Sequence, residues 1–264
     1  MKIATWNINS VRRRTGNLTA WLQRAQPDVL LLQEIKCQEE QFPRPEVEAL
    51  GYQCAIAGQK GFNGVALLSR APSEITVRAL PGDDGDEQAR YIEGRFQTSA
   101  GALRVASIYL PNGNPVDSDK FPYKLGFMRR LRERARTLLD TEELVVLAGD
   151  YNVCPTDMDV YDPVGWANDA LCRPESRQAL RAVLNLGYTE AFRALHPDAH
   201  AYSFWDYQGG AWTRDHGLRI DHLLLSPQAA DRLKACDIDK AERGRAEPSD
   251  HVPVWIQLDA EAVT

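Results

Sequence analysis

Short, almost wholly apolar runs stop at a polar residue again and again along this chain, and that pattern narrows the fold more than any other feature. Residues 2–6, 29–32, 65–68, 104–109, 144–148, 220–225 and 254–258 are rich in Val, Ile and Leu and are bounded by Gly, Pro, Asn or Asp. They read as strands buried on both faces. Helical spacing appears between some of them: at Leu18, Trp21, Leu22 and Ala25, at Phe127, Met128, Leu131, Ala135 and Leu138, and over 175–186, which Pro174 opens and Gly187 closes. From Tyr52 to Phe96 strands follow each other with no helix between, which argues against a uniform βαβ series. The expected fold is α/β: two mixed, largely antiparallel sheets packed face to face, with helices outside and carboxylates emerging together at one edge.

With 264 residues, 44% of them hydrophobic, the chain can bury a large core, and a single domain over 1–258 with a frayed tail at 259–264 is expected. Pro, Gly, Asn and Asp cluster at 81–87 and 111–115, which marks loops. No apolar run approaches the ~20 residues of a membrane helix. Met1-Lys2 leads straight into Ile3-Ala4-Thr5-Trp6, without the apolar core of a signal peptide, so a cytoplasmic protein with no membrane element is expected. The five cysteines are scattered, with no C-x-x-C pair, and read as reduced. A net charge of −6 argues against a simple basic nucleic-acid binder. Clustered carboxylates filled by a divalent cation reconcile that charge with a phosphate substrate.

The polar residues that end the runs carry the chemistry. Asp150 and Asn152 stand two apart after the run 144–148; if the strand continues they share a face, the carboxylate orienting a water and the amide holding it or a phosphoryl oxygen. Alone, Gly149-Asp150-Tyr151-Asn152 reads first as a turn held by side-chain hydrogen bonds. Glu34, Asn7 and Asp250 offer oxygen to a hard cation such as Mg2+ or Mn2+, although Glu34 alone reads first as a cap. His251 becomes functional if Asp221 holds one ring nitrogen and frees the other for phosphate, whereas alternation points His222 away from Asp221 into a structural role. Tyr109 is a phosphate contact or an edge tyrosine. Phe204-Trp205-Asp206-Tyr207 seals a core or holds an unstacked nucleotide. Arg129, Arg130, Arg132, Arg134 and Arg136 spread around one helix and read as solvated.

Nine motifs in order give a resemblance from Met1 to about Leu258. They are Trp6-Asn7-Ile8-Asn9, Gln33-Glu34-x-Lys36, Gly58-Gln59-Lys60-Gly61, Tyr109-x-Pro111, Lys120-Phe121-Pro122, Gly149-Asp150-x-Asn152, Ser203-Phe204-Trp205-Asp206-Tyr207, Leu218-Arg219-Ile220-Asp221 and Pro248-Ser249-Asp250-His251. The chain resembles the exonuclease III family of bacterial apurinic/apyrimidinic endonucleases, within the endonuclease/exonuclease/phosphatase superfamily. The resemblance implies a four-layered α/β sandwich of the DNase I-like kind. It further implies Mg2+-dependent hydrolysis of duplex DNA at abasic sites, leaving a 3′-hydroxyl, with 3′-to-5′ exonuclease and 3′-phosphatase or phosphodiesterase activity.

By carry-over, Glu34 is the principal metal ligand, with Asn7 and Asp250 at or beside the metal and Asp150 and Asn152 shared between metal and water. The Asp221–His251 pair meets the scissile phosphate, and Tyr109 contacts phosphate or the leaving oxygen. Asn112, Asn114, Phe204, Trp205, Leu218 and Ile220, which vary in the family, would line the pocket for a flipped-out sugar and the loops entering the duplex. The less similar segment 161–174 lies where a DNA-contacting loop is expected. The partner is then duplex DNA with abasic sites or 3′ ends, bound by a monomer. Two other readings stand beside this one: a non-catalytic nucleic-acid-binding regulator on the same scaffold, and a phosphohydrolase acting on inositol phosphates or sphingolipids.

Overall fold

A computed structural model describes residues 1–263. Its strands are, in chain order, β1 (Lys2–Asn7), β2 (Val29–Gln33), β3 (Gln53–Ala57), β4 (Val65–Ser69), β5 (Glu74–Val77), β6 (Tyr91–Thr98), β7 (Gly101–Tyr109), β8 (Leu144–Asp150), β9 (Thr189–Glu190), β10 (Asp221–Leu225), β11 (Leu233–Ile238) and β12 (Val254–Leu258). They form two six-stranded sheets, ordered β11-β12-β1-β2-β4-β3 and β5-β6-β7-β8-β10-β9. Only β1–β2 and β7–β8 pair in parallel, so the sheets are mixed and largely antiparallel, as expected. The helices are α1 (Thr15–Ala25), α2 (Arg44–Glu48), α3 (Lys120–Leu139), α4 (Pro174–Leu184), α5 (Ala191–Leu195) and α6 (Pro227–Ala230).

Strand alternation explains why the apolar runs are apolar throughout. Ile3, Val29, Leu31 and Val65 from one sheet meet Ile92, Val105, Val146 and Leu223 from the other in a central core. The intervening residues face outward under helices. Trp6, Leu30 and Leu32 pack on Leu18, Trp21 and Leu22 of α1, while Val145, Leu147 and Leu224 pack on Phe127, Leu131 and Val183 of α3 and α4. The result is four layers, helix–sheet–sheet–helix.

Several expectations are corrected. Helix α3 begins at Lys120, a full two turns before the periodic stretch, because Pro122 sits in the first turn, where no intrahelical N–H bond is lost, and because Phe121 and Lys124 are buried there. The arginines of α3 are not all solvated: Arg134 pairs with the fully buried Glu93, and Arg130 pairs with Asp86. Of the frayed tail expected at 259–264, residues 259–263 are hydrogen-bonded to the sheets, and residue 264 lies outside the described residues. Asp259 N donates to Arg232 O, Val263 N donates to Gln97 O, and the amino terminus of Met1 donates to Leu258 O and Ala260 O. Strands β3, β5 and β6 fall in or beside the helix-free stretch from Tyr52 to Phe96 expected to run as consecutive strands, whereas β9, of two residues, and β11, which carries Lys234 and Asp237, do not stand out by composition.

Candidate active site

Both sheets deliver polar residues to one end of the sandwich. In the first sheet Asn7 pairs with Gln33 across β1 and β2; in the second, Asp150 at the end of β8 lies between Tyr109 of β7 and Asp221 of β10. Gly149 precedes Asp150 because a Cβ there would lie 1.9 Å from the Ile108 carbonyl oxygen. Gln33 points between the sheets, where it bonds Thr5 and Ser107; its part is to bolt the layers together beside the site.

The Asn7 amide joins two carboxylates, its Nδ2 donating to Glu34 Oε1 and to Asp150 Oδ2 at 2.9 Å each. Lys36 Nζ holds the other Glu34 oxygen at 2.8 Å. Burial pushes the Glu34 pKa upward, but Lys36 and Asn7 outweigh it and leave the carboxylate below its usual range. Asp150 fares differently: burial, with Asp221 and Glu34 nearby, lifts its pKa to about 7 against the pull of His251 and Asn7. Burial and then the Glu34 and Asp150 carboxylates push the Tyr109 hydroxyl well up.

His251 lies 2.8 Å from Asp221 through Nδ1 and 3.7 Å from Asp150 Oδ2 through Nε2. Burial works against its charge, yet Asp221 and Asp150 raise its pKa to about 10, so at neutral pH it is an imidazolium that donates to Asp221 from Nδ1 and keeps the Nε2 proton for the cavity. Ser203 Oγ donates to the same Asp221 oxygen at 2.6 Å, while the buried Oδ1 of Asp221 has no hydrogen-bond partner. Ser249 accepts the His251 N–H and donates to Asn7 O, tying the last loop to β1. Asp250 is held by Asn9 Nδ2 at 2.9 Å. His222 does turn away: it is fully buried, with Nε2 2.9 Å from Val153 O.

These groups open into a cavity of about 260 Å³ lined by Glu34, Tyr109, Asn112, Asp150, Asn152, Phe204, Leu218, Ile220, Asp250 and His251. Two expectations change. The strand stops at Asp150, and Asn152 adopts a left-handed backbone with φ 48°. Its amide reaches the site but is engaged by Leu110 O and Asn112 Nδ2, and its own N–H donates to Asp150 Oδ1. Trp205 is the second. It is 0% exposed and packs with Ala211 and Val252, because Phe204 pairs with Leu218 and His251 and its ring faces the pocket, which turns its neighbour into the core.

Sequence reasoning missed Ser203, Trp166, which lines the cavity, and Lys124, which is fully buried. Burial drags the Lys124 pKa down to about 7 against Asp150 and Asp169. Ser203 opens one of the nine motifs and Trp166 lies in the segment 161–174, but nothing local gives either of them, or Lys124, its role, because the partners come from distant segments.

Asp150, Asp221 and His251 bring ligand atoms within 4.8 Å of one another, an acidic and imidazole cluster of metal-holding size. The protonated His251 is a poor ligand, so the oxygen-rich side with Glu34 suits a hard cation better. The profile of the Endonuclease/Exonuclease/phosphatase family matches residues 4–251. The chain belongs to this family. Exodeoxyribonuclease III of Haemophilus influenzae is 35% identical over 266 residues, covering 98% of this chain and all of that protein. Among solved structures, the 3′-5′ exonuclease NExo from Neisseria meningitidis superposes with a TM-score of 0.93 at 38% identity, over 98% of this chain and all of that one. An AP endonuclease from Archaeoglobus fulgidus gives 0.92 at 34% identity, over 98% and 99%. Both share the four layers found here, so the DNase I-like fold of the family is the fold of this chain.

Proposed function

We propose that this member of the family is a Mg2+-dependent DNA-repair phosphodiesterase. It incises duplex DNA 5′ to abasic sites, leaving a 3′-hydroxyl, and removes nucleotides, phosphate and phosphodiester remnants from 3′ ends. The observation that carries the reading is the convergence of Asp150, His251 and the Asn7-bridged Glu34 at one cavity. The named activities of its relatives, exodeoxyribonuclease III, 3′-5′ exonuclease and AP endonuclease, support it.

Mg2+, or Mn2+ in its place, fits a donor set of hard oxygens: Glu34 and Asp150 would hold it, with Asn7, Asn152 and Asp250 beside it. When bound, the ion neutralises charge on the phosphoryl oxygens. The residues supply the rest. Asp150 orients an attacking water and accepts its proton, aided by the Asn152 N–H on Oδ1. His251, fixed by Asp221, donates from Nε2 to a phosphoryl oxygen, and Tyr109 contacts the phosphate or the leaving oxygen. Phe204, Leu218 and Ile220 form the apolar wall for a sugar turned out of the helix, with the Asn112 amide at its rim. No helix among the described residues is long and apolar enough to cross a membrane.

The test uses one labelled duplex with a central abasic-site analogue and another with a recessed 3′ end, each with Mg2+ or EDTA. A Mg2+-dependent nick 5′ to the lesion, lost in Asp150→Ala, is the expected result. Shortening from the 3′ end alone restricts the reading to an exonuclease, and binding without cleavage of either duplex refutes it.

A further inference from the structure

On the protein side of the catalytic cavity lies a cation that touches no carboxylate. Lys124 Nζ donates to three main-chain carbonyls: Asn112 O at 3.0 Å, Asn152 O at 2.6 Å and Ala170 O at 3.2 Å. These belong to three separate segments, the loops after β7 and β8 and the loop entering α4. The first two supply the side-chain pair in which Asn112 Nδ2 donates to Asn152 Oδ1 at 3.2 Å, and the Asn152 N–H in turn holds Asp150 Oδ1 at 2.9 Å. The third supplies Asp169 and Leu171 to the cavity wall.

We infer that Lys124 is a positioning residue: its ammonium pins the three loops together and thereby sets where Asn152, and through it Asp150, stand at the reacting centre. Filling space does not account for a lysine here. A methionine or leucine would fill the same volume without the cost of a buried charge that has only carbonyl dipoles for partners. The stem is fitted as closely as the head. Gly113, at φ +90°, lies over it, and a Cβ on that residue would come within 2.7 Å of Lys124 Cδ. Compact, three-donor ammonium geometry matches three convergent carbonyls, whereas the planar fork of arginine does not. Ser176 Oγ shares the Ala170 oxygen at 2.6 Å, so the clamp is continuous with the start of α4.

The inference rests on the nuclease reading for its kinetic consequence but not for its structural one, and the test separates them. Lys124→Met keeps the stem and removes the donors; Lys124→Gln keeps part of the donor capacity and serves if the first variant does not fold. Hydrogen exchange read by mass spectrometry is expected to quicken over 110–115, 151–154 and 169–172 in either variant, with the strands of both sheets as protected as before. Kinetics on the recessed-3′-end duplex, normalised to the fraction of folded enzyme, are expected to show kcat falling by about tenfold or more with KM changed less than about twofold, as for a group that acts on the transition state through another. In an Asn152→Ala background, Lys124→Met is expected to cost little more, because the two share one path. Unchanged exchange in those loops overturns the inference whatever the substrate proves to be, as does a full multiplicative loss in the double variant. A wild-type protein that cleaves no DNA removes the nuclease reading instead, and the exchange result still decides the clamp.

Discussion

His251 Nε2 and Asp150 Oδ2 face each other across 3.7 Å, too far for a hydrogen bond and close enough for one oxygen atom to bridge them. The gap has an acid on one side and a base on the other, because Asp221 keeps the imidazole charged while burial leaves Asp150 ready to take up a proton near neutrality. Both pKa values are raised, His251 to about 10 and Asp150 to about 7, so near neutrality the imidazole keeps its proton while the carboxyl can take one up, which divides the acid and base roles of a hydrolytic site.

Asp221→Asn tests that division. Removing the carboxylate 2.8 Å from Nδ1 removes the partner that raises the His251 pKa to about 10, so the imidazolium is lost at lower pH. The alkaline limb of the pH–rate profile is expected to move toward the ordinary histidine value of about 6.5, and kcat at pH 8 to fall by ~10²-fold. An alkaline limb that stays in place would show that His251 does not act as the charged donor.

The legible part of the site was the part written in period two. Asp150 and Tyr109 end, and Asp221 opens, strands that composition marks plainly, and the antiparallel and parallel pairing of adjacent strands brings the three together. Asn152 lay beyond the reach of that rule because the chain turns left-handed after Asp150. Phe204 and Trp205 could not both line a pocket from an extended segment, since neighbours point to opposite sides; which one faced inward depended on pairing with Leu218 and His251, set by residues far along the chain. Ser203 and Lys124 are ordinary residues in the sequence and become meaningful only by what the fold places against them. The layered architecture was readable from the doubly apolar strands, but the edge strands β9 and β11 and the first two turns of α3 were not.

Phe204 and Trp205 are therefore expected to separate function from stability. Trp205→Ala empties a fully buried site and should cost about 3–5 kcal/mol of stability in urea unfolding. Phe204→Ala, at the half-buried wall beside His251, should cost less than half of that and instead raise KM for the abasic duplex. Equal stability losses with an unchanged KM would place Phe204 in the core as well.

Metal binding should be visible without any substrate. A ligand that binds only the folded state raises the unfolding temperature in proportion to RT ln(1 + [L]/Kd). Millimolar MgCl2 is expected to raise the Tm of the wild-type protein and to have no effect on Glu34→Gln, in which the carboxylate bridged by Asn7 and Lys36 is neutral. A Mg2+-induced rise of the same size in both proteins would move the cation away from Glu34.

Acid stability depends on a group outside the site. Glu190 caps α5 by accepting from Arg193 N at 2.8 Å, and it meets the buried Arg219 at 3.0 Å, which also holds Asp159 at 2.7 Å. Burial pushes the Glu190 carboxyl upward, but Arg219 and His222 outweigh it and lower the pKa from 4.5 to about 2. The folded state thus binds a proton less readily than the unfolded chain. The ionised carboxylate's contribution is present in full above the unfolded value near 4.5 and is lost as pH falls through the folded value near 2. At ~1.4 kcal/mol per unit, that contribution is on the order of 3 kcal/mol at pH 7. Glu190→Gln should be less stable than wild type by about that much in urea at pH 7 and pH 6, with the gap narrowing steadily between pH 4.5 and pH 3. Glu93, which pairs with Arg134 and not with Arg219, titrates in both proteins and cancels in the difference. A gap that is constant across this range would mean that Glu190 acts through its cap hydrogen bonds and not through its charge.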